Sequence, residues 1–244
     1  GGQAAEDAVA RARRLEGLGV GLHVAVVCGW PVLPAREIPD LVDAAGMLDT
    51  NLIRAGLRYF FLPKVRRQLA KEIRAQFEAF HESGFALDHV NAHNHMQIHP
   101  TVLSLILEIG IDYGMRAMRV PDEPIALPGA STLSFSRRMA RLIPWIWLRL
   151  MRSRLRRAGL NTNDYVYGIR DSGALVRERM LALLAELPDG VTEIFLHPAR
   201  GDWDGVEEAA RHYRFEEEFQ ALIDGDVRAA AEASGAKLTA FSGL

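Results

Sequence analysis

The amino-acid sequence predicts an α/β protein with a mostly parallel sheet, and a barrel-like arrangement is the leading option. Segments with a helical spacing of apolar residues alternate with short apolar segments along most of the chain, which is the pattern of βα units. The first predicted strand is apolar almost throughout, as in a sheet that is covered on both faces. Because 244 residues is an ordinary length for one α/β domain, we expect residues 1–244 to form a single domain.

The elements are predicted from hydrophobic periodicity and from the residues that interrupt it. Helices are expected where apolar residues recur on one face, and Gly17 and Gly84 end two of them. Strands are expected where β-branched and apolar residues follow one another. The predicted helices span residues 3–15, 66–81, 101–113, 177–186 and 216–233, and the predicted strands span residues 20–28, 87–91, 116–120, 193–196 and about 237–239.

Composition restricts the functional classes. Apolar residues make up 49% and charged residues 25%, which is the mix of a globular protein. A formal net charge of −2 gives no general attraction to nucleic acid. Cys28 is the single cysteine, so an intrachain disulfide is excluded, which fits a reducing compartment. No apolar run reaches the about 18 residues that a membrane-spanning helix needs.

Histidines are concentrated in one short segment. Four of the eight lie between Asp88 and Pro100, after a predicted strand. In an extended backbone the imidazoles of His93 and His95 would point to the same side, where one could bind a metal and the other could orient substrate or water. The alternative is a histidine-rich surface loop, or core histidines that bond to the backbone.

Two further histidines lie at predicted strands. His23 interrupts the apolar run of the first strand, and His197 precedes Pro198 at the end of a later one. Taken alone, each is more simply structural, but in parallel α/β folds chemistry concentrates where strands end. A histidine with an unperturbed pKa of about 6.5 also suits proton donation near neutrality. We therefore predict a metal-dependent site around His23, His93, His95 and His197.

Four motifs, in order along nearly the whole chain, resemble those of the YdjC-like carbohydrate deacetylases. They are Gly19–His23 with Gly29–Pro34, the histidine-rich Asp88–Pro100, Arg116–Arg119, and Glu193–Ala199. The resemblance implies a deformed (β/α) TIM-like barrel of the glycoside hydrolase/deacetylase type and metal-dependent hydrolysis of an N-acetylated sugar. The family's opening strand ends in A-D-D-F-G, a motif that these 244 residues lack. We expect that strand and its helix upstream of residue 1.

The resemblance also implies roles for individual residues. His23 and His93 match metal ligands, and the third ligand, an aspartate, is expected upstream of residue 1. The cofactor would be one divalent ion, Zn²⁺ or Mg²⁺. His95 matches a further substrate-site residue, Arg119 a positioning group, and His197 the general acid. The family often has Asp where this chain has Asn91.

Within the family, the hopanoid-biosynthesis-associated deacetylases share Arg54–Phe61, an insertion at about 121–168, and Tyr167–Gly173. Residues 136–157 of the insertion hold eight arginines, two tryptophans and no acidic residue. As a helix, this segment suits a membrane interface. A lid over the barrel mouth or a dimerisation helix is the alternative. Nucleic-acid binding is disfavoured, because the arginines alternate with apolar residues.

These observations predict an enzyme that removes the acetyl group from an N-acetylglucosaminyl hopanoid lipid. We expect it in the cytoplasm, peripherally bound to the inner membrane through about residues 136–157, with no nucleic-acid partner; a homodimer is compatible with this. One alternative is a soluble chito-oligosaccharide (diacetylchitobiose) deacetylase. The other is a non-catalytic sugar- or lipid-binding module that keeps the fold.

Overall fold

The computed structural model describes residues 4–124, 142–201, 206 and 208–244. Helices alternate with short parallel strands, which confirms the mixed α/β class. The chain divides into two compact units. The first comprises residues 1–119, 151–162 and 239–244, and the second comprises residues 120–150 and 163–238.

The first unit contains strands β1 (Leu22–Val24) and β2 (Val90–Ala92), which pair in parallel. Single parallel bridges then join β2 to Met118, and Ala117 to Asn161. Four extended segments thus lie side by side in chain order, as consecutive strands of a parallel α/β fold do. Closure into a barrel stays a prediction, because the described strands form two separate two-stranded sheets.

Four helices of the first unit are α1 (Ala5–Ala12), α2 (Leu52–Phe61), α3 (Pro63–Glu82) and α4 (Pro100–Asp112). The predicted helices near 3–15, 66–81 and 101–113 are confirmed within a few residues at each end. Prolines begin α3 and α4, where their fixed φ suits the first helical turn. Helix α2 is not among the predicted helices. It begins after Asn51, whose side chain accepts a hydrogen bond from a first-turn amide at 2.9 Å.

Two buried polar side chains of α3 hold the loop that leaves β1. The Glu72 carboxylate accepts hydrogen bonds from the amides of Val32, at 2.8 Å, and Leu33, at 3.0 Å. The Gln76 amide accepts from the Ala25 N–H at 2.9 Å and donates to the Ala25 carbonyl at 2.6 Å. Since Gln76 also donates to Glu72 at 2.8 Å, the pair forms one network between helix and loop.

The second unit pairs β3 (Tyr165–Tyr167) in parallel with β4 (Thr192–Ile194). Its helices include α6 (Arg177–Ala185), α7 (Phe215–Ile223) and α8 (Gly225–Ala233). The predicted helix near 177–186 and the predicted strand near 193–196 are both present, displaced by no more than two residues at either end. The buried core of this unit consists of Tyr167, Leu175, Met180, Leu183, Leu184, Ala221 and Val227.

Three predicted elements are wrong. The helix expected over 216–233 is two helices, because Asp224 has an extended backbone and its side chain caps the second helix by accepting from two of its first amides. The strand expected over 116–120 is reduced to two single bridges. The strand expected near 237–239 is not formed, and the segment between α8 and a final 3₁₀ turn has no regular structure.

Helix α5 (Leu142–Arg157) forms the described part of the arginine- and tryptophan-rich segment, whose residues 136–141 lie outside the described residues. Met151 and Leu155 of this helix are fully buried, so its last two turns belong to the core of the first unit. In the described part of the chain, no helix is long and apolar enough to cross a membrane. The insertion over about 121–168 stays a prediction.

We predict that Glu72→Gln lowers the free energy of unfolding by about 1–3 kcal/mol, because an amide NH₂ would then face a backbone N–H in the buried network. Chemical denaturation measures the change. Glu82→Gln, at the exposed end of the same helix, is the matched control and should change the free energy of unfolding by less than about 0.5 kcal/mol. Equal effects of the two substitutions would contradict a structural role for Glu72.

Candidate active site

His23 is held in one orientation by a strand partner. It lies in the middle of β1, opposite Asn91 of β2, and register partners in a parallel sheet project to the same face. The Nδ1–H of His23 donates to the Oδ1 of Asn91 at 2.5 Å. Because Nδ1 carries the proton in this arrangement, the Nε2 of neutral His23 presents its lone pair at the other edge of the ring.

That lone pair faces a second imidazole. His93 follows β2 directly, and its Nδ1 lies 3.3 Å from the Nε2 of His23, with the two rings nearly perpendicular at 79°. Two nitrogens that bind one tetrahedral zinc at about 2.0–2.1 Å are about 3.3–3.4 Å apart. The spacing of the two nitrogens and the neutral imidazole donors therefore fit the predicted metal ligands, and Asn91 has the position of the hydrogen-bond acceptor that orients a ligand histidine.

His23 and His93 would be two ligands of the predicted set. Within the described residues, no group of three or more His, Cys, Asp or Glu side chains could hold a metal ion. A catalytic zinc site uses three protein ligands and keeps one position for water or substrate. The upstream aspartate implied by the family therefore stays a prediction.

A left-handed turn follows His93 and corrects one expectation. Asn94 and His95 have φ of 51° and 53°, a region that few residues other than glycine adopt. His95 therefore does not lie on the same side of an extended backbone as His93. The buried Gln97 closes the turn, because its Oε1 accepts from the amide of Ala92 at 3.1 Å. His95 remains half-buried within the same turn, two residues after the predicted ligand His93.

His89 has a structural role. Its Nδ1 lies 2.8 Å from the Oδ2 of Asp88, and its ring stacks on Phe241 with the ring centroids 4.7 Å apart. A Cβ atom added to Gly21 would come within 2.6 Å of this ring, so the ring fills the space that a side chain would occupy. Asp88 also accepts from the amides of Phe241 and Ser242. The Asp88–His89 pair thus fixes the C-terminal segment to the first unit.

His99 is structural as well. Its ring lies edge-on to Tyr59 and to Phe60 of α2, with both centroid distances at 6.3 Å. Burial lowers the pKa of His99 below its ordinary value, because the charged imidazolium would lose water. Two of the four histidines between Asp88 and Pro100, His89 and His99, thus pack against aromatic side chains.

Arg119 extends the row that His23 and Asn91 begin. Because Val90 bridges to Met118 in parallel, the next register position sets Arg119 beside Asn91. The backbone N–H of Arg119 donates to the carbonyl of Val90 at 3.0 Å, and the residue is only 7% exposed. His23, Asn91 and Arg119 thus share one row across three neighbouring segments. The role of Arg119 as a substrate-positioning group stays a prediction.

His197 belongs to the second unit, three residues after the end of β4. Its backbone N–H donates to the Oε2 of Glu218 at 2.6 Å, and the Oε1 of the same carboxylate accepts from the amide of Leu175 at 2.9 Å. The His197 ring contacts Phe195 and Tyr213, with centroid distances of 5.3 and 4.9 Å. A fully buried carboxylate therefore fixes the backbone from which this imidazole projects.

Two important residues are absent from the sequence-based site. Asn91 had two visible signals: it is a poor strand former in a short buried strand just before the histidines, and the family often has Asp at its position. Glu218 had none, because it ends a Glu216–Glu218 run that is typical of a solvated helix face. Only the packing of α7 shows that Glu218 is fully buried.

Comparison with known proteins identifies the family. The family model described as YdjC-like protein matches residues 1–233. A carbohydrate deacetylase of Thermoanaerobacter pseudethanolicus is 25% identical over 86% of this chain and 71% of its own length. A carbohydrate deacetylase of Geobacillus stearothermophilus is 26% identical over 98% and 81%. A chitooligosaccharide deacetylase of an Enterobacter species is 31% identical over 54% of this chain and 50% of its own length.

A solved structure supports the fold. It is described as that of a cellobiose-phosphate cleavage protein from Enterococcus faecalis, and it superposes with a TM-score of 0.66 over 98% of this chain and 82% of its own. At 22% sequence identity this likeness concerns the fold alone. The chain belongs to the YdjC-like protein family, as its four motifs predicted.

We expect Asn91→Leu to weaken zinc binding by the full-length protein about 10- to 100-fold, because His23 would lose the acceptor that orients it. Asn91→Asp keeps an acceptor oxygen and should retain the affinity. Competition with a chromophoric chelator measures both. His81→Ala removes an exposed histidine of α3 and is the control. The interpretation fails if Asn91→Leu and His81→Ala bind zinc equally well.

Asp88→Asn should destabilise the fold at neutral pH and lose that effect in acid. Burial raises the pKa of Asp88, but hydrogen bonds from Ser242 and His89 outweigh it and leave the pKa below its ordinary value. Such a carboxylate stabilises the fold above its unfolded pKa of about 3.9, and the contribution is lost as the pH falls through the lower folded value.

Urea unfolding of Asp88→Asn and of the unchanged protein, followed from neutral pH into acid, measures this dependence. Asp112→Asn alters an exposed carboxylate and is the matched control. Asp88→Asn and the unchanged protein should differ in unfolding free energy at neutral pH but not in acid. If the difference is the same at every pH, the Asp88 carboxylate does not stabilise the fold in the way described.

Proposed function

We propose that this protein is a metal-dependent enzyme that removes the acetyl group from an N-acetylglucosaminyl hopanoid lipid in hopanoid biosynthesis. Its enzyme class, a carbohydrate N-deacetylase, follows from its family and from relatives that carry that name. The observation that carries the proposal is the 3.3 Å approach of His93 Nδ1 to His23 Nε2, with Asn91 orienting the His23 ring.

The histidines of this chain supply donors for one divalent ion. Nitrogen donors favour Zn²⁺, whereas a set completed by a carboxylate and water also accepts Mg²⁺. When bound, the ion supplies Lewis-acid polarisation of the acetyl carbonyl and activates water. The third ligand and the general base are proposed to be aspartates of the family's A-D-D-F-G motif, upstream of residue 1.

The other residues have separate roles in the proposed hydrolysis. A water oxygen bonds to the acetyl carbon, the carbon–nitrogen bond breaks, and its electron pair stays on the sugar nitrogen. His197, as imidazolium, protonates that nitrogen so that the amine can leave. Arg119 positions the sugar, and His95 contacts the substrate. The buried Glu218 holds the backbone of the proton donor in place.

Helix α5 supports a lipid-linked substrate. Trp145 and Ile146 are each 45% exposed and Leu150 is 57% exposed, although all three are large apolar side chains. The guanidinium of Arg149 lies 4.8 Å from the centre of the Trp145 ring. Exposed tryptophan beside arginine is typical of segments that lie at a membrane interface. We therefore propose that the enzyme works in the cytoplasm at the inner-membrane surface, which it contacts through about residues 136–157.

A soluble chito-oligosaccharide is the second candidate substrate. The Enterobacter relative named chitooligosaccharide deacetylase matches 54% of this chain at 31% identity, the highest identity among the three relatives described above. The same histidines would perform the same hydrolysis on such a sugar. The two proposals differ only in whether the N-acetylated sugar is attached to a lipid or to a second sugar.

We expect the full-length, zinc- or magnesium-loaded protein to release acetate from N-acetylglucosaminyl hopanoid, and His197→Ala to reduce that rate roughly 10²- to 10⁴-fold. His81→Ala is the control for loss of a histidine as such. Release from diacetylchitobiose alone would select the soluble substrate. Release from neither sugar would leave a non-catalytic binding module.

The exposed face of α5 is tested with the same two substrates. Trp145→Ser combined with Ile146→Ser should lower kcat/KM about tenfold for the hopanoid presented in vesicles and leave kcat/KM for diacetylchitobiose unchanged, since apolar contact with the bilayer is lost. Deletion of the segment is a poorer test, because Met151 and Leu155 belong to the core. Equal losses on both substrates would favour a lid.

A further inference from the structure

Helix α2 presents an apolar face to solvent that the proposed site does not use. Ile53 is 78% exposed, Leu57 55%, Phe60 46% and Phe61 66%. Their spacing of i, i+4, i+7 and i+8 sets them on one side of the helix. The opposite side holds the helix to the protein. Its buried residues are Ala55, Gly56 and Tyr59.

The chain around this face is basic. From Thr50 to Lys71 the sequence contains six lysines and arginines and no acidic residue. Some of these cations are compensated, since Arg54 pairs with Asp49 at 2.6 Å and Lys64 with Asp40 at 2.8 Å. Arg66 instead donates to backbone carbonyls of α2, so no carboxylate offsets its charge through these contacts. Exposed Arg67 and Lys71 continue the positive charge along α3.

The same helix adjoins the segments that carry the histidine pair. The Tyr59 hydroxyl donates to the carbonyl of Val26, in the loop that leaves β1, at 2.5 Å. Burial raises the pKa of this hydroxyl, which therefore stays a donor. Phe60 contacts His99, at the end of the turn that contains His93 and His95. Helix α2 thus contacts the loop that follows the strand of His23 through Tyr59, and the end of the turn that contains His93 through Phe60.

We propose that the exposed face of α2, formed by Ile53, Leu57, Phe60 and Phe61, docks on an anionic lipid bilayer. An apolar helix face flanked by lysine and arginine has the composition of an interfacial helix, which buries its apolar side between head groups that attract its cations. The choice of a bilayer over another apolar partner rests on the proposed lipid-linked function. The docking surface lies outside the residues 136–157 assigned to membrane contact, and it would bring the histidine pair close to the surface that carries the substrate.

Vesicle co-sedimentation tests this proposal without any sugar substrate. The full-length protein is mixed with vesicles of phosphatidylcholine and phosphatidylglycerol, or of phosphatidylcholine alone. Ile53→Ser combined with Phe61→Ser should reduce partitioning to the anionic vesicles about tenfold, since two large apolar contacts are lost. The matched control, Leu15→Ser combined with Leu238→Ser, removes two apolar side chains that are 57% and 84% exposed elsewhere.

Charge is tested separately with Arg67→Glu. This variant should bind the anionic vesicles several-fold less tightly and the neutral vesicles unchanged, and added salt should reduce the difference. Circular dichroism confirms that each variant is folded. The proposal is overturned if the Ile53/Phe61 variant and its control partition equally to the anionic vesicles. It is also overturned if the unchanged protein is a dimer and this variant dissociates the dimer but still binds the vesicles.

The outcomes separate this proposal from the proposed activity. If the Ile53/Phe61 variant loses vesicle binding but the unchanged protein releases no acetate from either substrate, the docking surface is supported and the enzymatic function is rejected. If the unchanged protein is an active deacetylase and the Ile53/Phe61 variant binds vesicles equally well, only the docking surface is rejected.

Discussion

The parallel register between Leu22–Val24 and Val90–Ala92 is the constraint on which the candidate site depends. It sets His23 opposite Asn91, and the next position sets Val24 opposite Ala92, where both side chains are fully buried. A shift by one residue would turn His23 to the other face and expose Val24 in its place. The burial of the apolar pair therefore fixes the register, and the register brings the Nδ1 of His23 within hydrogen-bond distance of Asn91.

The exit of β1 is fixed from its other side by α3. Gln76 binds both the amide and the carbonyl of Ala25, and Glu72 accepts two further amides of the same loop. A buried carboxylate is costly unless hydrogen bonds replace its water, and here three donors do so. The network therefore gives an irregular loop defined partners immediately after the strand that carries His23. Asn91 thus holds the middle of this short strand through His23, and Gln76 holds the residue that follows its end.

Periodicity predicted most of the helices but missed α2. Helix α3 was predicted within three residues at each end, because Leu69, Ile73 and Phe77 lie on one buried side. Helix α2 was not predicted, although Ile53, Leu57 and Phe61 recur at helical spacing, and the apolar side that this spacing marks faces water. The break between α7 and α8 has a signal in the sequence, because Asp224 is a common helix-capping residue and Gly225 is a poor helix former. The strands came out shorter than predicted, because apolar runs continue into loops that are equally buried, as at Val26 and Val27.

The site could be predicted in part for related reasons. The positions of His23, His93 and His197 at or near strand ends follow from chain order and residue type. The left-handed turn at Asn94 and His95 does not, because a positive φ at a residue other than glycine has only a weak sequence signal. The role of Glu218 depends on where α7 packs, which no local pattern contains. Predictions from sequence thus reached the histidines of the proposed site, whereas the residues that hold these histidines in place required the structure.

The two helices with exposed apolar residues are attached to the protein in the same way. Helix α2 is held through Ala55 and Tyr59, and α5 through Met151 and Leu155, while other large apolar side chains of both helices remain in water. Full burial of one such side chain contributes about 1.5–3 kcal/mol to the free energy of folding, and the exposed Ile53 and Phe61 make only part of that contribution. Burial of both would have added to stability had the helix been turned inward. Apolar area that folding leaves exposed beside basic residues remains available for binding. An anionic bilayer would bury the apolar side chains and attract the basic ones.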